Sequence, residues 1–300
     1  MRNRTIKSAM FLIAALLFSW PVAAQVYYAG EKSPERTKAA EASKAALKFD
    51  PHDLSGIWEQ TGRVPELPKY PGFGDGRASR LMGGALPPPL TMWGLAVFAS
   101  HKPSLETSWQ SRRVRPALGN DPVGACDPLG YPRSFERSSI EFVQTPNKIV
   151  QINSGTGYAL SVREIFLDAR NPADMADAMG PRWDGWAVGH WEGDSLIVES
   201  TGFDDRSWLD GNGWPHSENM KLREVFRHPD ATTLEVTMTI DDPETYTKPW
   251  VGNKQVLRLE LPKDRTVLLE NYCVPSEEEE FNRGVRNPAG GELQNSRPLE

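Results

Sequence analysis

The sequence predicts a mainly β protein in which an antiparallel meander forms a closed or nearly closed β-barrel. About ten short segments rich in β-branched and aromatic residues follow residue 55, each bounded by turn residues. No helix of crossover length separates the partners, so neighbouring segments are expected to pair as hairpins. Closure is expected because it leaves no unpaired edge strand. No repeat of about 20 to 50 residues is visible, which argues against a propeller with regular blades.

The strand positions follow from alternating apolar residues and from the turns between them. The turn at Gly193–Asp194 has two residues, so it is expected to pair Glu192 with Ser195 and His190 with Ile197. The predicted strands are 56–59, 140–143, 149–152, 162–167, 186–191, 196–198, 222–226, 234–240, 256–261 and 266–272.

The N-terminus has the pattern of a signal peptide. Three positive charges within the first seven residues precede an apolar run over 10–20, and small residues occupy 22–24. The run is shorter than the roughly 20 residues that a membrane span needs, and no later stretch is long enough. We therefore expect cleavage after Ala24, a periplasmic or secreted protein and no integral membrane span. An uncleaved N-terminal anchor is the alternative.

The remaining chain is expected to form one domain with two flanking segments. Proline and glycine break any long element before the barrel, except for one helix that starts near Thr91 and places Trp93, Ala96 and Val97 on one face. The predicted organisation is a signal peptide over 1–24, an N-terminal helical segment over 25–50 with its helix at 33–49, a single barrel domain over 51–275 that includes a Pro/Gly-rich wrapping segment over 64–135, and a tail over 276–300.

Composition and charge exclude several classes of protein. With 39% hydrophobic and 25% charged residues, the chain is neither disordered nor fibrous. Signal cleavage removes three positive charges and changes the formal charge from −6 to −9, so nucleic-acid binding is not expected. Neither a P-loop nor a dinucleotide fingerprint occurs, and we expect no cofactor. Arg133 with Glu136, and Arg163 with Glu164, are expected to form structural ion pairs.

The sequence has two cysteines, Cys126 and Cys273, and both follow the predicted signal peptide. Export would place them in an oxidising compartment, so a single disulfide is the natural hypothesis. Two buried, reduced cysteines are the alternative. The pair is too small for an all-thiolate zinc site and lacks the C-x-x-C spacing of redox enzymes.

The hairpin over 186–199 carries the first candidate catalytic residues. One face is uniformly apolar, whereas the other is mixed and includes Trp186, His190 and Glu199. If the mixed face points into the barrel, His190 and Glu199 could act as a general base and its orienting carboxylate, with Trp186 binding substrate. If it points outward, they are a covered or solvated pair, which is the more common situation.

The segment from Thr201 to Met220 is too long for a simple hairpin loop, and long loops in compact domains are usually functional. Its candidate catalytic residues are Asp204, Asp205, Asp210 and His216, and its candidate substrate-binding residues are Trp208 and Trp214. A partnership between His216 and one carboxylate is the chemical hypothesis, and structural turns and caps are the alternative. The acid spacing matches no metal-binding loop, so no metal site is predicted.

A second aromatic segment follows the strand over 234–240. Tyr246 and Trp250 could stack on a sugar or another ring, and Lys248 could supply a positive charge. Core packing beneath a loop is the commoner explanation for such aromatic residues.

Parts of the chain resemble known proteins in two ways. The strand Gly56-Ile57-Trp58 resembles the Gly-x-Trp opening strand of lipocalin-like (calycin) barrels. Longer strings resemble a family of exported bacterial proteins usually described as hypothetical. That resemblance implies one integrated exported domain and supplies no catalytic residues. The strings are 120–122, 126–133, 141–146, 189–196, 242–243 and 246–250.

Three functions are compatible with these patterns. The first is an exported enzyme that acts on a small organic, aromatic or glycosidic substrate by cofactor-independent general acid–base chemistry, as a hydrolase, lyase or isomerase. The second is a lipocalin-like carrier, in which the same aromatic residues bind an apolar, aromatic or sugar-like ligand. The third is a cell-envelope interaction protein whose tryptophan-rich loops contact a protein partner.

Overall fold

The computed structural model describes residues 49–60, 89–103, 119–136, 138–155, 160–168, 170–260, 268 and 272–274. All of them belong to one compact unit. Over these ranges, neither helix has the length and apolar character needed to cross a bilayer. The predicted signal peptide, the helix over 33–49 apart from Phe49, and the tail over 276–300 lie outside the described residues.

Nine of the predicted strands are present, with shifts of a few residues at their ends. The tenth, over 266–272, lies outside the described residues apart from Leu268 and Tyr272. One short strand, β9, is not among the predicted ones. The strands are β1 Gly56–Gln60, β2 Ser138–Thr145, β3 Lys148–Gly155, β4 Ser161–Phe166, β5 Trp186–Glu192, β6 Ser195–Thr201, β7 Lys221–Asp230, β8 Thr233–Asp241, β9 Trp250–Val251 and β10 Gln255–Leu259.

The predicted closed barrel is confirmed. Strands β1 to β8 pair in sequence order, and β10 pairs with both β8 and β1 to complete a ring of nine strands. The first residues of β8 pair with β10, whereas Thr239 and Ile240 near its end pair with β9. β9 therefore lies beside the ring and is not one of its nine members.

One strand pair departs from the predicted antiparallel meander. β4 and β5 run parallel, with Ile165 opposite Ala187. The cause is a crossing connection that contains a helix, α2 (Pro172–Met179), which packs against β5 and β6. Parallel neighbours need such a connection, because the chain must return to the end of the sheet where the first strand began. Lipocalin barrels, by comparison, have eight strands in an up-and-down arrangement.

Large side chains fill the barrel. Trp58, Phe142 and Phe226 are completely or almost completely buried, and Phe142 meets Phe226 edge to face with ring centroids 5.8 Å apart. Tyr131 and Phe135, from the predicted wrapping segment, add to the same core. The inward positions of the strands, where the structure describes them, are therefore occupied by side chains packed as in a protein core.

The helix predicted to start near Thr91 is confirmed as α1 (Met92–Ser100). The Thr91 hydroxyl caps it by accepting the Gly94 N–H at 3.0 Å. Trp93, Ala96 and Val97 share one side as predicted, but the helix packs through Gly94 and Phe98. Its outer side therefore exposes apolar side chains, with Met92 82% exposed and Leu95 49% exposed.

Replacing Gly94 by alanine is expected to destabilise the protein by about 1–3 kcal/mol, since overpacked cores lose that much. A Cβ atom there would collide with the Thr245 carbonyl oxygen, which belongs to the backbone and cannot rotate away. The loss opposes the helix-propensity gain of up to about 1 kcal/mol for Gly→Ala. Denaturant unfolding measures the difference. Gly124→Ala is the control, because no atom lies within 4 Å of its Cβ position, and equal effects of the two changes would contradict the prediction.

The predicted cysteine pair is present at disulfide distance. Cys126 and Cys273 have their Cα atoms 5.5 Å apart across 147 positions of sequence. Cys126 ends a short 3-10 turn over Pro122–Ala125, and a second such turn covers Arg133–Phe135. The bond therefore joins the C-terminal part of the chain to the segment that contributes Tyr131 and Phe135 to the core.

Candidate functional site

The β5–β6 hairpin orients His190 away from the barrel. The predicted register is confirmed, with His190 opposite Ile197 and Gly189 opposite Val198. Gly189 and Val198 lie on the inner face, whereas His190 and Glu199 are exposed. His190 Nε2 lies 3.0 Å from Glu192 Oε1 at the surface. The outward alternative is therefore confirmed, and His190 and Glu199 do not form an interior acid–base pair.

The predicted substrate-binding aromatic residues form a packed cluster. Trp214 stacks on Phe98 with centroids 4.0 Å apart, and Trp250 contacts both Trp214 and Tyr246. Each of these rings is at least nine-tenths buried. In the structure they anchor α1 and the segment over 202–220, which we call the β6–β7 loop, to the barrel. The structure shows Tyr246 and Trp250 packed in the core beneath a loop, which is the commoner explanation for such aromatic residues.

The other predicted binding residues are dispersed. Trp208 stacks on His101 with centroids 4.6 Å apart. Trp186 donates its indole N–H to the Gly180 carbonyl at 2.8 Å, beside α2. Lys248 is exposed. Trp208 and Trp186 are therefore each engaged by a protein group, and Lys248 faces solvent.

The three loop aspartates have separate roles. Asp210 is fully buried and accepts the backbone N–H and side-chain amide of Asn212 at 2.8 and 2.7 Å, while burial raises its pKa. Asp204 forms an ion pair with Arg206 at 2.6 Å, and the hydrogen bonds from Arg206 lower the pKa of Asp204. Asp205 is exposed. Asp210 and Asp204 thus bond to neighbouring residues of the loop. His216 does not pair with either of them, contrary to the prediction.

His216 instead contacts a serine. Its Nε2 atom lies 2.9 Å from Ser207 Oγ, and its Nδ1 atom lies 2.9 Å from the Ser217 carbonyl oxygen. A carbonyl can only accept, so Nδ1 carries the proton and Nε2 is free to accept from the Ser207 hydroxyl. The Asp204 carbonyl, at 3.1 Å, is a second acceptor for the same hydroxyl. This is the arrangement in which an imidazole can take a proton from a serine nucleophile.

The surroundings keep the imidazole neutral. Ser207 and His216 are 3% and 2% exposed, and burial lowers the pKa of His216 below 6.5. The hydrogen bond to the Ser217 carbonyl and the carboxylates of Asp242, Asp205 and Asp204 oppose this shift. A neutral imidazole at pH 7 is the form that a general base requires.

Sequence reasoning selects His216 but misses Ser207, because no local motif surrounds this serine. Its contact comes from tertiary structure. Gly130, at φ +69°, approaches so closely that a Cβ atom would lie 2.6 Å from Ser207 Oγ. Gly130 is separated from Ser207 by 77 positions of sequence, so spacing alone could not bring the two together.

The free energy of unfolding is expected to decrease on acidification because His216 is buried. The folded pKa is lowered, so the unfolded state binds more protons and stability falls as pH drops below about 6.5, by at most about 1.4 kcal/mol per pH unit. The loss levels off below the folded pKa. Urea titrations of wild type and His216→Asn between pH 8 and 5 test this, and the variant should show a shallower slope. Burial also lowers the pKa of His228, so only the difference between the two proteins is diagnostic. Identical slopes would contradict the prediction.

A second cluster of polar side chains lies inside the barrel. Arg163 and Glu224 form a completely buried ion pair, and Tyr131 donates its hydroxyl to Glu224 at 2.5 Å. The Arg163 guanidinium also donates to Ser200 at 2.7 Å and to Gln151 at 3.2 Å, and it lies over the Tyr131 ring. Burial raises the pKa of Tyr131 well above 10, so its hydroxyl remains a proton donor.

The polar network around Arg163 and Glu224 extends towards the end of the barrel at which the connection from β4 to β5 ends. Asp184, in that connection, accepts the Ser161 hydroxyl at 2.9 Å and the Ser134 hydroxyl at 3.4 Å. Burial raises the pKa of Asp184, and the charge of Arg163 lowers it in opposition. Ser134 also donates its backbone N–H to the Gly130 carbonyl at 2.8 Å. The network and the Ser207–His216 pair therefore share one supporting segment, 130–134.

Both buried arginines form ion pairs, and the partner expected for Arg163 was wrong. Arg163 pairs with Glu224 and not with Glu164, because adjacent strand residues point to opposite faces. Arg133 makes two hydrogen bonds to Asp121, at 2.8 and 2.7 Å. The sequence does indicate buried polar contacts, because polar residues occupy inward positions between core residues in β3, β4 and β7.

Fold and site together define a closed β-barrel protein with a buried serine–histidine pair within its β6–β7 loop. Within the described ranges, no group of three or more His, Cys, Asp or Glu side chains is arranged to hold a metal ion. No protein-family model matches the chain, and no match was found among curated proteins.

Proposed function

We propose that the protein is an exported hydrolase in which Ser207 is the nucleophile and His216 is its general base. The observation that carries this proposal is the 2.9 Å contact between Ser207 Oγ and His216 Nε2, with the imidazole tautomer set by the Ser217 carbonyl. Nucleophile, base and orienting group are the three components of nucleophilic catalysis by serine. Export is supported by the basic and apolar N-terminus.

The reaction follows from these roles. Ser207 Oγ attacks the carbonyl carbon of a small ester, and His216 Nε2 takes the hydroxyl proton. The imidazolium then returns this proton to the leaving alkoxide, which departs as an alcohol and leaves an acyl group on Ser207. Water, deprotonated by His216, attacks that acyl group, and the imidazolium returns the proton to Ser207 Oγ as the bond to the acyl carbon breaks, which releases a carboxylic acid and regenerates the serine. The sequence of steps uses no cofactor.

Access to the pair requires a local movement. Ser207 is buried, but it directly follows Asp205 and Arg206, which are both exposed. Arg206, whose side chain is 61% exposed, pairs with the partly buried Asp204 and lies over the Trp183 ring at 4.4 Å. Substrate would displace Arg206 from these two contacts to reach Ser207. The turn over 204–206 is thus the proposed entrance.

An active-site probe tests the proposal without knowledge of the substrate. A small fluorophosphonate should phosphonylate the wild-type protein once, and mass spectrometry should place the adduct on Ser207. Ser207→Ala should not react, and His216→Asn should react about 10²–10⁴-fold more slowly because the general base is lost. Ser100→Ala, at an exposed serine outside the site, is the matched control. A folded wild-type protein that does not react, or an adduct that persists in Ser207→Ala, would contradict the proposal.

A carrier function is less well supported, because packed side chains occupy the inner positions of the barrel. A role in cell-envelope interactions is the second candidate. The exposed Met92, Trp93 and Leu95 on the outer side of α1 favour it, since contiguous exposed apolar side chains mark binding surfaces. A photo-crosslinking residue at Leu95 should capture a partner protein in producing cells, whereas the same residue at Lys254 should not. Equal crosslinking at both positions would contradict this second candidate.

A further inference from the structure

The turn over 242–246 holds the backbone on both sides of His216. Asp242, which is 1% exposed, accepts the Ser217 backbone N–H at 2.7 Å and the Ser217 hydroxyl at 2.8 Å. Tyr246 donates its hydroxyl to the Pro215 carbonyl at 2.7 Å. The peptide units before and after His216 are therefore each tied to the same turn.

The turn itself is rigidly built. The Asp242 carbonyl accepts the backbone N–H groups of Thr245 at 3.1 Å and Tyr246 at 2.7 Å. Its carboxylate also accepts the Thr245 N–H at 3.3 Å. Asp242 follows β8 directly, so the barrel fixes where the turn begins. Preorganised supports of this kind determine how accurately a catalytic group is placed.

We propose that Asp242 is a positioning residue for His216. In a serine–histidine–aspartate triad the carboxylate bonds the imidazole directly, whereas Asp242 acts on His216 through Ser217. By clamping Ser217 through its N–H and hydroxyl, Asp242 keeps the Ser217 carbonyl aimed at His216 Nδ1. That carbonyl holds the proton on Nδ1 and leaves Nε2 available to Ser207. The inference rests on the proposed hydrolase function, and it adds a residue that does not touch the serine.

Imidazole NMR provides a readout that a purely structural role would not change. In wild type, ¹⁵N spectra should show His216 as the single Nδ1–H tautomer at neutral pH, with its signal assigned by comparison with His216→Asn. Asp242→Asn should introduce the Nε2–H tautomer and lower the titration midpoint of His216, since a nearby negative charge is lost. Ser217→Ala removes one of the two clamping bonds and should introduce a smaller fraction of the same tautomer.

Reactivity should follow the tautomer. Fluorophosphonate labelling of Ser207 should slow by roughly 10- to 100-fold in Asp242→Asn, less than the ~10⁴-fold loss when a triad carboxylate that bonds the imidazole directly becomes an amide. Glu244→Gln is the control. Glu244 is an exposed acid of the same turn and accepts the Asn219 side-chain amide at 3.1 Å, so this variant should match wild type in both measurements.

The outcomes separate the two proposals. An unchanged tautomer and midpoint in folded Asp242→Asn would overturn the positioning role, whether or not Ser207 reacts. If Asp242→Asn does not fold, Ser217→Ala decides by the same criterion. A wild-type protein whose Ser207 is unreactive, but whose tautomer changes in Asp242→Asn, would overturn the hydrolase proposal and support the positioning of His216.

Discussion

Replacing both Cys126 and Cys273 by serine is expected to lower the free energy of unfolding by about 5 kcal/mol, from the chain-entropy relation for a loop of this length. The bond spans 147 positions, so its removal frees a large part of the unfolded chain. It also releases the C-terminal residues 272–274 from the segment that carries Gly130 and Tyr131. Denaturant unfolding of the oxidised wild type and the double variant measures the loss.

Reduction provides the control for this prediction. A reductant should destabilise the wild-type protein by about the same amount and should leave the double-serine variant unchanged, since that variant has no disulfide to lose. If the oxidised wild type and the double variant unfold at the same denaturant concentration, the disulfide does not stabilise the fold in this way.

Glu224→Gln is expected to destabilise the protein by about 3–5 kcal/mol, the typical loss when one partner of a buried ion pair is removed. Arg163 would then retain its charge inside the barrel without the carboxylate that it pairs with directly, and Asp184 would be left as the acid that interacts with it. Glutamine keeps an oxygen that can accept the Tyr131 hydroxyl, so the change isolates the loss of charge. The measurement is again the free energy of unfolding.

Two comparisons decide whether burial is the cause. Glu164→Gln breaks the surface pair with Lys148, whose side chains are 33% and 35% exposed, and should change stability by about 0–1 kcal/mol. The double change Arg163→Met with Glu224→Leu should recover part of the loss, because apolar pairs can replace buried ion pairs while Tyr131, Ser200 and Gln151 lose their hydrogen bonds to this pair. Equal effects of Glu224→Gln and Glu164→Gln would contradict the prediction.

Local patterns predict the strands because each one alternates inward and outward residues over a short stretch. The hairpin at Gly193–Asp194 is the clearest example, since its turn length alone determines the pairing of Trp191 with Leu196. The parallel arrangement of β4 and β5 does not follow from such patterns. Its helix, α2, begins with an Asn171 cap and Pro172, a recognisable start signal, but eight residues of helix do not by themselves indicate a crossover.

The candidate site is predictable only in part. His216 stands out because it lies in an unusually long loop, and its burial cannot be known from that position. Ser207 and Asp242 acquire their roles from contacts across the fold, and a single sequence contains no local signal for them. Tryptophans selected as ligand-binding groups proved to be core residues, because a large aromatic ring is buried whether it packs against protein or against a ligand.

The nine-membered ring has a geometric consequence for the whole molecule. In a closed circle of strands, directions can alternate throughout only if the number of strands is even. An odd ring must therefore contain a seam where two neighbours point the same way, and here the seam is β4–β5. The connection between β4 and β5 has to cross the full height of the barrel before β5 can begin. It thereby places Trp183 and Asp184 at the rim beside Gly130 and Ser134. A barrel with an even number of strands can alternate throughout, and without a parallel pair this part of the rim would need another source of side chains.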